Sequence, residues 1–364
     1  MKVVGRYFLI SAGLLLGIAY LTIRQAHWNY PLFLLLRSGL LLLSALSLLR
    51  LLYEFTHLPD LGESLKRGLL ALFAVAVLLL GVELIFTFIP VSHGVGFSYA
   101  GKNWRFYYEQ RNGEGFRDEE ISQRDTTKQT IVFIGDSFAE GQGIKNTNNR
   151  FAELLMDSLG DCYEKLLLAR GGWHTKDQLQ QLSELDFAPE VIVFQYYGND
   201  IEGDATAMGY HRQPIIGYAD LSTFSTYAVR ASYLLNYFYW RKARPYLSHY
   251  QEYLISAYAT DEIMQQHLSS LLELKDLVNE AGAQMYFLGI PFLQDVKLSE
   301  QLYLNRLNSL FDDPERRSYA IDLSAAIQAI PTKDRMVNSN DPHASEAVHQ
   351  LIAQELAKWI QHCD

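Results

Sequence analysis

The chain has 364 residues, 49% apolar, 13% aromatic and 20% charged, a length that admits two or three domains. This composition excludes a disordered or low-complexity protein, which carries fewer aromatics and more charge. A formal charge of -10 argues against a nucleic-acid partner, and two cysteines exclude a disulfide scaffold or a zinc-ribbon array. The charge is unevenly placed. Residues 1–90 hold seven Lys and Arg against four Asp and Glu, whereas the remaining 274 hold 24 against 37. A basic, apolar front end therefore precedes an acidic globular part.

Three apolar runs stand in the front end: Tyr7–Ile23, Pro31–Tyr53 and Gly68–Pro90. Each matches the ~20 residues that a helix needs to cross hydrocarbon. The first is long for a cleaved signal peptide, no small-x-small cleavage site follows it, and two further spans stand behind it. Lys2 and Arg6 precede the first run, and Arg50, Lys66 and Arg67 flank the second connection, while the first connection has only Arg24. That asymmetry predicts a cytoplasmic N-terminus, a multi-pass anchor, and an extracytoplasmic location for everything after Pro90. Arg37 and Glu83 lie inside the second and third runs at matching depth, roughly 9–10 Å below the outer face at about 1.5 Å per residue. Ionised groups at such depth are costly, so a direct pair between them is expected, the alternatives being Arg37 reaching the outer headgroups beside a protonated Glu83, or each contacting a partner protein or a lipid headgroup.

Residues 91–130 read as a connector packing on the domain that follows. From Ile131 onward, strands and helices alternate. Strands are predicted at Ile131–Ile134, Tyr163–Ala169, Val191–Tyr196, Gln284–Ile290 and Ser318–Leu323. Helices are predicted at Phe151–Leu159, Gln178–Leu185, Asp261–Ala281 and Ser345–Ile360. Apolar strands separated by helices predict an α/β fold with a five-stranded parallel sheet covered on both faces. In such a sheet Cys162 and Cys363 both fall on the edge opposite the strand carboxyl ends, which predicts a disulfide in an oxidising compartment. An insertion, 205–260, carries ten of the 23 tyrosines, among them Tyr233, Tyr237 and Tyr239, with Phe238 and Trp240 beside Arg241 and Lys242. It reads as a helical subdomain packed on the sheet. A lid over the site, an interfacial aromatic belt or a sugar-stacking surface are its functional alternatives.

Four blocks fall where one rim of the sheet collects them. The first strand runs into Gly135-Asp136-Ser137-Phe138, and Arg170-Gly171-Gly172-Trp173-His174 follows the second strand. Gly198-Asn199-Asp200 follows the third, and Asn340-Asp341-Pro342-His343 precedes the last helix. Each residue also has a plainer use: Ser137 as a helix cap, Asn199 and Asp200 as a turn, His174 as a pocket wall. No histidine pair has metal-ligand spacing, so neither a metal nor another cofactor is expected.

Across residues 112–364, the order and spacing of these blocks resemble the SGNH (GDSL-type) hydrolase superfamily. The stretch Asn112–Asp118, NGEGFRD, is similar to that of membrane-attached bacterial members. The resemblance implies a flavodoxin-like domain at 131–364, with Ser137 as nucleophile, His343 as base and Asp341 as its carboxylate. It also implies an oxyanion hole from the Ser137 and Gly172 N–H groups and the Asn199 amide, with Gly171 the alternative donor. Asp136, Trp173, His174 and Asp200 would line the substrate. Three positions depart from the pattern. Phe138 replaces Leu, Gly198 directly precedes Asn199, and Asp341 is two residues before His343, the commoner spacing of three being held by Asn340. The chemistry needs these residue types: a serine hydroxyl is a weak nucleophile until an imidazole takes its proton, and a carboxylate fixes that imidazole. The expected activity is hydrolysis of acyl esters, acetyl foremost, on a cell-envelope glycan, from a bacterial inner membrane. Transfer of the acyl group to a sugar hydroxyl, cleavage of a lipid ester or thioester, or service as a binding subunit beside a membrane-protein partner are the alternatives.

Overall fold

The computed structural model describes residues 2–58, 62–94, 96–120, 124–212, 218, 221–242 and 245–361. The chain forms two compact units. One comprises Met1–Val91, Val95–Trp104 and Ile216–Ala243, the other Ser92–Gly94, Arg105–Ile215 and Arg244–Asp364. This division differs from the sequence expectation in two places. The stretch 91–130 is not one connector, because residues 95–104 cluster with the apolar helices. The insertion 205–260 is likewise split, and residues 216–243 join those helices.

In chain order the elements up to the first strand are α1 (Lys2–Ile23), α2 (Tyr30–Thr56), α3 (Glu63–Phe86) and α4 (Tyr99–Tyr108). Then follow β1 (Gln129–Gly135), α5 (Ser137–Glu140), α6 (Phe151–Leu159), β2 (Tyr163–Ala169), α7 (Thr175–Ser183), β3 (Val191–Tyr197) and α8 (Glu202–Ala207). Helices α9 (Thr223–Ala231), α10 (Tyr233–Lys242), α11 (Pro245–Ala259) and α12 (Asp261–Glu280) lead to β4 (Gln284–Ile290). The rest is α13 (Val296–Ser299), α14 (Asn305–Phe311), β5 (Ser318–Ala320), α15 (Ser324–Ala329), α16 (Thr332–Arg335), β6 (Met336–Asn338), β7 (Asp341–Ala344) and α17 (Glu346–Leu356).

In the first unit, α1, α2 and α3 are long and apolar enough to cross a membrane. Their apolar side chains mostly face outward: Leu16, Leu46 and Leu78 are each more than 60% exposed. Small polar groups join the helices instead, as between lipid-facing helices where packing rather than hydrophobic drive holds the bundle. Ser11 and Ser47 hydroxyls meet at 2.8 Å between α1 and α2. The expected Arg37–Glu83 pair is present, and Arg37 also donates to Thr22 Oγ1 at 3.0 Å and to the Thr87 hydroxyl. Helices α9 and α10 belong to this unit, with the Arg37 guanidinium carbon 4.4 Å above the Tyr233 ring.

The second unit is an α/β domain. Its five strands are all parallel, in the order β2-β1-β3-β4-β5, the flavodoxin-like arrangement of doubly wound folds. Alternation along β1 sends Ile131 and Phe133 to one face, with Phe151 and Leu155 of α6 and Val348 and Ile352 of α17. Val132 and Ile134 point to the other, with Leu271 and Leu274 of α12. Both faces are therefore dry. A two-stranded antiparallel hairpin, β6–β7, stands apart from the sheet just before α17 and was not expected from the sequence. Cys162 is not a free thiol, and Cys363, its expected partner, lies outside the described residues.

Candidate active site

The turn between β1 and α5 presents Ser137. Asp136 caps α5, its Oδ1 accepting the Phe138 N–H at 2.8 Å. From the neighbouring strand, Gln195 Oε1 accepts the N–H groups of Asp136 at 3.0 Å and Ala139 at 3.1 Å. The Gln195 amide thus satisfies two donors that the sharp turn orphans. Position 135 accommodates only glycine, since a Cβ there would stand 2.3 Å from Gln195 Oε1. Ser137 ends 6% exposed at the carboxyl edge of β1.

The hairpin β6–β7 brings the other two groups. His343 Nε2 is 2.8 Å from Ser137 Oγ, and His343 Nδ1 is 2.5 Å from Asp341 Oδ1. The carboxylate that meets the imidazole is Asp341, two residues before it on β7. Its second oxygen accepts from the Ser92 hydroxyl, and the Ser92 carbonyl accepts from Asn338 Nδ2 at 3.0 Å, so residue 92 braces the hairpin from 249 positions away. Burial pushes Asp341 up, but the His343 charge and the hydrogen bonds from His343 and Ser92 outweigh it and hold the carboxyl below its usual range. Burial lowers His343, yet the Asp341 charge, with smaller contributions from Asp136 and Glu140, leaves it above the ordinary 6.5. The Phe138 ring packs 5.1 Å from the His343 ring and 4.1 Å from Tyr197, so it forms a wall of the site.

The second block lies beside Ser137. The Gly171 N–H is taken by Glu140 Oε2 at 2.8 Å, and a Cβ at 171 would stand 2.9 Å from that oxygen and 3.6 Å from Ser137 Cβ. The Gly171 amide is thus committed, while Gly172, at φ 85°, has open space around it. Glu140 is 2% exposed and pairs with Arg111 at 2.5 Å. Burial raises the Glu140 carboxyl, and the Arg111 charge offsets part of that rise. Asn199 sits on the turn after β3, which the Tyr197 N–H closes onto Asp200.

Two expected substrate contacts are corrected. Asp136 and Asp200 are both fully buried. Asp200 accepts the Tyr197 N–H at 2.8 Å and the Gln178 amide at 3.0 Å, so it closes the turn that carries Asn199. Trp173 stacks edge-on against Phe116 at 5.7 Å, and His174 stands at the start of α7, its N–H donated to Asp177 Oδ2 at 2.8 Å. That cap starts α7 at Thr175, three residues before the expected start.

The sequence reading passed over Gln195, Glu140, Ser92 and Arg117. Gln195 had a signal, a lone amide in the apolar strand Val191–Tyr197. Arg117, from the NGEGFRD stretch, donates to the carbonyls of Gly141 at 2.6 Å, Ile144 at 2.5 Å and Tyr108 at 3.0 Å, clamping the loop after α5. Burial, then repulsion from Arg150, lowers Arg117 to about 10. Ser92 had no local signal at all.

No family model and no curated protein matches the chain. Solved structures similar to it include TesA, at 15% identity over 63% of this chain and 96% of that one, with a TM-score of 0.39. A member of the lipolytic protein G-D-S-L family from Veillonella parvula matches at 12% identity over 64% and 98%, with a TM-score of 0.39. A carbohydrate acetylesterase family member from Sinorhizobium meliloti matches at 13% identity over 63% and 96%, with a TM-score of 0.34.

Proposed function

We propose that this chain is a membrane-anchored serine esterase of SGNH type, with its α/β domain on the extracytoplasmic side, acting on acyl esters of a cell-envelope glycan, acetyl foremost. The observation that carries the reading is the unbroken line from Asp341 through His343 to Ser137 Oγ. Ser137 Oγ attacks the ester carbonyl carbon and passes its proton to His343 Nε2, while Asp341 holds the opposite ring N–H and stabilises the imidazolium. The N–H groups of Ser137 and Gly172 and the Asn199 amide receive the developing oxyanion, each such donor being worth about 10²–10³ in rate. Collapse expels the sugar oxygen, which takes the proton back from His343, and water repeats the sequence to free the carboxylic acid. The glycan and the acetyl group rest on the anchor and on the sequence resemblance.

The test is turnover of a short-chain aryl ester by the purified full chain, with and without a sugar acceptor. Ser137→Ala is expected to lower the rate by ~10³-fold or more with the fold intact, since members of such a triad act as a unit. A variant with near-native rate would overturn the assignment. Recovery of acylated acceptor in place of free acid would make the enzyme a transferase using the same residues.

A further inference from the structure

Helices α9 and α10 carry large apolar side chains that remain substantially exposed. Phe224 is 83% exposed and Tyr227 57% on α9; Leu235 is 45% and Phe238 49% on α10. Each pair is spaced three residues apart, so each helix presents one greasy stripe. Stripes of this kind on consecutive helices mark a surface made for an apolar partner.

The break between the helices lies against the polar group inside the third span. The Glu83 carboxylate accepts the Ser232 hydroxyl at 2.8 Å and the N–H groups of Tyr233 at 2.5 Å and Leu234 at 3.1 Å. Ser232 supplies the next two acceptors, its hydroxyl to the Leu235 N–H at 3.1 Å and its carbonyl to the Asn236 N–H at 3.0 Å. On the α9 side, the Arg230 carbonyl accepts the Tyr99 hydroxyl at 2.7 Å. The N–H groups of the first three residues of α10 are thus all satisfied by side chains of the protein, and the regular ladder begins at Asn236. Water makes that unnecessary, and hydrocarbon makes it obligatory. The negative charge doing the capping is itself neutralised by Arg37.

Leu235 also lines a mostly apolar groove that has Glu83 and Ser232 in its wall. The groove, of about 440 Å³, is lined by Leu15, Ile18 and Leu41 of the first two spans, Leu79 of the third, and Leu234 and Leu235 of α10. The last turn of α10 ends in Arg241 and Lys242, both exposed, where cations meet the carbonyl end of the helix and lipid phosphates.

We infer that residues 223–242 form a membrane-embedded helical hairpin, lying at the depth of Glu83 in the leaflet that holds the C-terminal end of α3, with Phe224, Tyr227, Leu235 and Phe238 in contact with lipid acyl chains. The inference rests on the reading that α1–α3 cross a membrane. It makes the apolar groove a slot for an acyl chain and Arg241 and Lys242 headgroup contacts.

The test uses the full chain in nanodiscs, labelled with the environment-sensitive fluorophore NBD at Phe224→Cys, Tyr227→Cys or Phe238→Cys. Leu72→Cys, 63% exposed in the middle of α3, is the reference, and the wild-type chain labelled in parallel gives the background. Phe224, Tyr227 and Leu72 are mostly exposed, so their replacement leaves packing intact, whereas Phe238→Cys gives up a ring contact with Phe86 and serves as the α10 reading. Doxyl-labelled lipid is expected to quench the hairpin positions to about half or more of the extent at Leu72, with little quenching by aqueous iodide. Quenching by iodide but not by doxyl lipid at the hairpin, with Leu72 quenched by lipid, overturns the hairpin alone. Protection from both quenchers means a protein covers the face, and also overturns it. A Leu72 probe untouched by doxyl lipid overturns the membrane reading itself.

Discussion

At the scale of single residues, the reactive line depends on the charge that Asp341 places beside His343. In the proposed mechanism the imidazole must be neutral to take the Ser137 proton, and its folded value lies above 6.5 because the neighbouring carboxylate favours the cation more strongly than burial disfavours it. Activity is therefore expected to fall as pH drops through a midpoint above 6.5, at higher pH than an ordinary histidine requires. Asp341→Asn removes the largest raising charge. The acid limb of the kcat/KM profile should then move to lower pH even as the maximum falls, by about 10⁴-fold if the loss matches that of a serine-protease triad. A limb that stays in place in this variant would belong to another group. Gln195 sets the geometry one step further back. Gln195→Leu strands the buried N–H groups of Asp136 and Ala139, each at a cost of about 1–3 kcal/mol. The expected result is a lower apparent melting temperature together with a kcat loss at nearly unchanged KM. A stable variant with full kcat would show that the elbow holds itself.

At the scale of elements, α6 and α17 close one face of the sheet through a buried histidine. His349 Nδ1 accepts the Phe151 N–H at 3.2 Å, and its ring stacks on Phe151 at 5.7 Å. Burial, followed by repulsion from Arg150 and Arg117, lowers His349 to about 3. Below the ordinary value of 6.5 the unfolded chain binds a proton there that the folded chain refuses. Stability is thus complete above about pH 6.5 and drains away as pH falls toward 3, at up to about 1.4 kcal/mol per unit. His349→Gln keeps an acceptor for Phe151 and removes the titration. Its apparent melting temperature should fall less between pH 7 and pH 5 than that of the wild type, and an equal fall would refute the linkage. The core elements were legible because their signal is local: α6, β2 and β4 begin and end where periodicity and flanking residues put them. Hairpin β6–β7 was not legible. Met336–Asn338 has no apolar alternation, and pairing with Asp341–Ala344 is stabilised from outside by Ser92 and Gly94, whose N–H reaches the Asn340 carbonyl at 3.0 Å.

At the scale of the whole molecule, the sequence separates three apolar helices from an α/β domain, and it reveals the depth match of Arg37 and Glu83 because rise per residue is fixed. What it conceals is that residues 95–104 and 216–243 return to the helices. That return rests on side chains distant in sequence: Asn236 Oδ1 accepts the Tyr99 N–H at 2.9 Å, and Asn103 Oδ1 accepts the Tyr30 hydroxyl at 2.5 Å. The consequence for Arg37 and Glu83 is specific. Removing one member of a buried pair leaves an uncompensated charge and costs about 3–5 kcal/mol. Arg37→Glu and Glu83→Arg should each sharply reduce the yield of folded chain. Were the two charges only a pair, the double exchange would restore wild-type yield. Glu83, however, also caps α10 through Tyr233 and Leu234, and an arginine at 83 offers donors where acceptors are needed. The double exchange is therefore expected to recover part of the loss and to leave α10 uncapped. Glu83→Gln, which retains one carbonyl acceptor, should outperform Glu83→Arg. Size-exclusion yield and apparent melting temperature of the four variants in detergent decide the matter. Full recovery in the double exchange would reduce Glu83 to a counter-ion, and no recovery at all would mean that the pair contributes nothing beyond its caps.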